Sequence, residues 1–102
     1  FNDKLSIGDH ETITAVGAIT TDYNVTFINN VSAGGNCSLA AGVDGQIKII
    51  IMTSNTGGHT VTLNAANIAQ DISFDAAGES ATLMYDTGTS KWYFIGGSAT
   101  TA

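Results

Sequence analysis

The chain has 102 residues, room for one domain and not two. Nine acidic residues face three lysines, a formal charge of −6. So few cations argue against nucleic acid or an anionic membrane as primary partner, because both are gripped through Lys and Arg on phosphate. The single cysteine, Cys37, excludes an internal disulfide framework and a Cys-based zinc site. No unbroken apolar run is longer than the four residues of Ile49–Met52, far too short to span a bilayer. The first residues lack the basic and apolar regions of a secretion leader.

Alternation of apolar and polar residues with period two dominates, and no segment carries a 3.6-residue period. Residues 1–10 read as an extended N-terminal arm, residues 11–97 as a single β domain and residues 98–102 as a flexible C-terminal tail. The first strand is expected over Glu11–Val16, ended by Gly17. A second follows over Tyr23–Asn29, with Tyr23, Val25 and Phe27 on one face. Ser32–Asn36 is a loop, and Cys37–Ala40 a short strand with Cys37 and Leu39 inward. Asp44-Gly45 is a tight-turn signal that leads into a strand over Gln46–Met52. The Asn55–Gly58 turn then predicts a hairpin with Thr60–Asn64. Ala65–Ala69 allows one helical turn, too short to stand alone. After a short strand at Ile72–Phe74, Ser80–Tyr85 and Lys91–Ile95 flank Asp86–Ser90 as a second hairpin. About seven or eight short strands at roughly 8–12-residue spacing predict an all-β fold, a small antiparallel β-sandwich or barrel.

Two strands are apolar on both faces. In Gln46–Met52 the residues Ile47, Ile49 and Ile51 are expected inside, leaving Ile50 and Met52 opposite with Lys48. In Lys91–Ile95, Trp92 and Phe94 oppose Tyr93 and Ile95. A sandwich strand ordinarily has one wet face, so the second apolar face either calls for a cover from another subunit or shows the stray outward apolar residues that short strands often carry. Ile50, Met52, Tyr93 and Ile95 are therefore the expected interface residues. Trp92, Phe94, Phe27 and Leu83 are the expected core.

The residues suited to chemistry do not assemble into a site. Asp9-His10-Glu11 has metal-ligand types, but neighbours on a strand point to opposite faces and cannot grip one ion. His59 falls in a loop, and Cys37 reads as a buried structural thiol. Asp75 and Asp86 stand where turns use Asp to cap the backbone. Asp71, Asp75, Glu79 and Asp86 lack calcium-loop spacing. No nucleophile elbow or phosphate loop is present. The expectation is no enzyme, no cofactor and no metal. The three Asn-x-Ser/Thr sequons, at Asn24, Asn30 and Asn36, are expected by chance in so Asn- and Thr-rich a chain. Aromatic rings at Tyr85, Trp92 and Tyr93 leave glycan stacking as a minor alternative.

Three stretches together resemble a loose family of small virion proteins of tailed bacteriophages. They are Ile13–Ile19; Asp44–Ile50 followed by a Gly-rich turn and Thr60–Leu63; and Ile72–Leu83 closing with Lys91–Gly97. The resemblance spans about Ile13 to Gly97. It implies a β-rich module on the exterior of the particle, either decorating the capsid or ending a tail fibre. It carries no catalytic residue to this chain. The resulting expectation is a capsid decoration (cement) protein that self-assembles, as a trimer, on the major capsid protein or another virion component. The alternative is a receptor- or glycan-binding tip of a tail fibre.

Overall fold

Short alternating segments bounded by Gly, Asn and Asp build ten strands in the computed structural model, which describes residues 9–101. They are β1 (His10–Ile13), β2 (Ala18–Ile19), β3 (Val25–Asn29), β4 (Gly35–Leu39) and β5 (Ile47–Ser54). Then follow β6 (Val61–Leu63), β7 (Ile72–Phe74), β8 (Ser80–Asp86), β9 (Lys91–Gly97) and β10 (Thr100–Thr101). The first sheet has the order β1-β3-β5-β8-β9 and the second β10-β7-β6-β4-β2. The fold is all-β, two five-stranded sheets packed face to face.

The path between the sheets is a coil. Strands β1 to β6 alternate between the two sheets, and like-placed strands run parallel: β1 with β3, β3 with β5, β2 with β4 and β4 with β6. A parallel pair needs a crossover, and here each crossover contains a strand of the opposite sheet instead of a helix. After three such turns the chain reverses. Strand β7 pairs antiparallel with β6, β8 with β5, β9 with β8 and β10 with β7.

This path corrects several sequence expectations. The ladders are mixed, where an antiparallel sandwich was expected. The segments 46–52 and 60–64 do not form a hairpin, because the Asn55–His59 turn carries the chain across to the other sheet. The hairpin over β8 and β9 forms as expected. Residues 65–69 form a turn in which Ile68 bridges Trp92 at the free edge of β9. In place of a C-terminal tail from residue 98, Ala99 is buried and β10 pairs with β7. The expected N-terminal arm lies mostly outside the described residues, and its last residue, His10, already opens β1.

Ile28, Ile50, Met52, Leu83 and Trp92 from the first sheet meet Leu39, Val61, Leu63, Ile72 and Phe74 from the second, all fully buried. Each such side chain stabilises the fold by about 1.5–3 kcal/mol. Trp92 is fixed at both ends: its Nε1–H donates to the Ala40 carbonyl at 2.8 Å, and Tyr85 meets its ring edge-on at 5.1 Å.

Asparagine side chains tie one turn of the coil to the next. Asn24 donates to the Ile47 carbonyl, and Asn55 to those of His59 and Asp75. Asn67 donates to the Leu39 carbonyl. The Asn30 Oδ1 atom accepts from the Ser54 hydroxyl and from the Thr56 backbone N–H at 2.8 Å. These bonds hold Asn30 in the left-handed region, at φ 50°. The Asn-rich composition thus satisfies backbone groups where ladders end.

Candidate functional site

Because side chains alternate along a strand, each sheet has one face inside and one outside. The two outer faces differ in chemistry. On the second sheet, Ala18, Asn36, Ser38, Thr62, Ser73 and Thr100 point outward, and the Thr62 and Ser73 hydroxyls share a hydrogen bond of 2.9 Å. That is an ordinary wetted face.

The outer face of the first sheet is apolar. Ile47, Met84 and Tyr93 stand in one cross-strand row, 39%, 38% and 38% exposed. The next row holds Val25, Ile49 and Thr82, and the third Phe27, Ile51 and Ser80. Ile95 is the extra residue of a bulge, between Phe94, which opposes Leu83, and Gly96, which opposes Thr82. It is 55% exposed. Titratable groups keep to the margins. His10 lies at the β1 edge with its ring 4.7 Å from that of Phe27, and Asp86 and Lys91 pair at the far end of the hairpin.

The expected interface residues separate. Tyr93 and Ile95 lie on this face, whereas Ile50 and Met52 are fully buried between the sheets. The parity of β5 is the reverse of the expectation: Lys48, Ile50 and Met52 point inward, Ile47, Ile49 and Ile51 outward. The inward lysine explains why. Its Nζ donates to the carbonyls of Thr20 and Tyr23, both at 2.8 Å, so it pins the loop between β2 and β3 from inside. Burial holds its ammonium below the usual 10.5, and Glu11 partly restores it. Of the expected core, Trp92 and Leu83 are fully buried and Phe94 packs against the core, but Phe27 faces outward. The residues that sequence reasoning missed on this face are Met84, Ile47, Ile49, Ile51, Val25 and Phe27. An unbroken run of isoleucines in β5 was the available signal, but it reads equally well with either parity.

The remaining candidates are accounted for by packing. Glu11 turns inward and its Oε1 accepts from the Thr26 hydroxyl at 2.9 Å and the Thr20 N–H at 3.2 Å, whereas His10 turns outward. The Cys37 thiol is buried, and desolvation pushes its pKa up, opposed by a backbone bond with Gly17. Tyr85, a glycan candidate, is buried, and the Tyr93 hydroxyl donates to Thr89 at 3.0 Å. Among the described residues no cavity opens and no three His, Cys, Asp or Glu side chains converge.

Fold and face together define a two-sheet β module with one wetted and one apolar outer surface. No protein-family model and no curated protein matches the chain. Its fold is similar to that of a solved structure described as a chaperone-substrate complex, with a TM-score of 0.61 and 16% sequence identity. The match covers 88% of this chain and only 18% of that one. At this identity the likeness concerns the fold alone.

Proposed function

We propose that the chain is a non-enzymatic structural protein on the exterior of a tailed-bacteriophage virion, acting as a capsid decoration protein. The observation that supports this reading is the one-sided apolar surface of the first sheet. The largest contiguous apolar patch on a folded protein is often the place where it meets a partner. The sequence resemblance supplies the virion setting. In this reading the apolar face is a seat of association within the virion, and a capsid strand is met at a sheet edge. Strand β1 is an edge strand, so its outward backbone groups suit addition of a capsid strand. Many such contacts, each weak, would hold a shell by multivalency.

Mass spectrometry of density-banded particles from cells that carry the gene tests this proposal. Peptides of the chain at a stoichiometry comparable to the capsid protein are expected. Their absence from intact particles contradicts it.

The alternative, a glycan-binding fibre tip, is favoured by one observation, the exposed ring of Tyr93. It predicts binding on a glycan array that Tyr93→Ala removes. No binding at high valency contradicts it.

A further inference from the structure

We infer that the outer face of the first sheet is covered by a second copy of the same chain, the two stacked face to face about a twofold axis. This inference rests on reading that face as the seat of association, and names the partner.

Area is the first argument. Five strands at about 4.8 Å spacing, with about six residues each at 3.3 Å rise, give a face of roughly 500 Å2. Two such faces, wholly covered, bury about 1,000 Å2 in total, the lower limit for a biological interface. With no ion pair or deep pocket to anchor it, an interface at that limit is expected to be weak, with a dissociation constant in about the micromolar range.

Shape is the second. The outer side of the first sheet is one continuous five-stranded surface, so two copies can stack face to face over its whole extent. Two twisted sheets pack well in this way, at about 30° between strand directions.

Charge is the third. His10 and Thr12 close the second and third rows at the β1 edge, and from β3 to β9 the three rows hold no Asp, Glu, Lys or Arg, so the body of the face has nothing to steer or select a charged partner. Self-pairing needs only that the patch match itself, and the twofold supplies that. The trimer expected from the sequence requires heterologous contacts around a threefold axis, in which one flat face cannot meet its own copy. Two copies at −6 each repel, so added salt strengthens this dimer by screening, the reverse of a contact held by opposite charges.

Sedimentation equilibrium and isotope-filtered nuclear Overhauser measurements on a mixed labelled and unlabelled sample test the inference together. The wild-type chain should dimerise with a micromolar dissociation constant that falls as salt rises. Met84→Lys should weaken dimerisation at least tenfold with unchanged circular dichroism, whereas Ser38→Lys on the polar face should leave it intact. In the wild type, intermolecular signals should connect the Met84 methyl group with isoleucine methyls of the other copy. A monomer up to about 1 mM, a trimer, or intermolecular signals confined to other surfaces overturns the inference. So does a Met84→Lys chain that dimerises as the wild type does. A monomeric chain found in virions would sink the dimer and spare the proposed function; a dimer absent from virions would do the reverse.

Discussion

Ile47 and Met84 oppose each other across the β5–β8 ladder, and both point away from the core, 39% and 38% exposed. One residue further along β5, Lys48 faces Leu83 and both are fully buried. Adjacent positions therefore put a lysine inside and an isoleucine outside.

Substitution at the two parities of β5 should give opposite results. Ile50→Asp places a carboxylate in the fully buried core and should cost more than about 4 kcal/mol, enough to unfold a domain of this size. Ile47→Asp, on the exposed apolar face, should cost no more than about 1 kcal/mol in the monomer. Urea denaturation followed by circular dichroism measures both. Equal losses would contradict the assigned parity.

Lys48→Met removes the donor to the Thr20 and Tyr23 carbonyls. With Tyr23 partly open to water, the expected loss is about 1 kcal/mol. The comparison with wild type should also depend on pH. Burial lowers the Lys48 pKa in the folded chain, so the folded form releases its proton before the unfolded form does. Wild-type stability relative to the variant should therefore rise with pH between that depressed value and 10.5, and be level below it. Cys37 acts oppositely at alkaline pH, since its raised pKa lets the unfolded thiol ionise first, but it is common to both proteins.

The β8–β9 turn offers a local test. The Asp86 carboxylate accepts from the Thr89 hydroxyl at 2.9 Å and the Gly88 N–H at 3.1 Å, which hold its pKa below the usual 3.8. Its contribution is fully present above that value and is lost as pH falls through the lower folded one. Thr89→Val should raise the Asp86 pKa, as read by carboxyl NMR. In the same turn Ser90 adopts φ 58°, a conformation that disfavours an L side chain and suits glycine. Ser90→Gly should raise stability by up to about 1 kcal/mol in thermal unfolding.

Gly42 lies against the six-membered ring of the core tryptophan. A β-carbon there would come 2.7 Å from the Trp92 ring and 2.6 Å from the Gln46 side-chain oxygen. Trp92 is held by its bond to Ala40 and cannot swing aside. Gly42→Ala should cost about 1–3 kcal/mol and shift tryptophan fluorescence. An unchanged melting temperature would show that this packing is looser than described.

Much of this fold was legible in the residues themselves. Period-two alternation gave away the all-β class, the β8–β9 hairpin and the burial of Trp92 and Leu83, because these depend on neighbours in sequence. The coil path was not legible. An Asn-Thr-Gly-Gly turn looks the same whether the chain folds back within a sheet or crosses to the other. What decides is the pairing of β5 with β3, about twenty residues upstream, a non-local choice. The face of β5 was missed for a similar reason: Ile occupies both parities, and a lysine reads as surface until its partners, Thr20 and Tyr23, are known. The interface expectation was half legible for the same cause, with Tyr93 and Ile95 outside and Ile50 and Met52 inside.

Whether the outer face of the first sheet pairs with a second copy can be read from the solution mass of the purified chain, by light scattering over a hundredfold range of concentration. The mass should shift from 10.5 kDa toward twice that value as concentration rises, and at lower concentration when salt is added. A mass that stays at 10.5 kDa throughout would contradict that pairing, leaving the apolar face of the first sheet without its partner.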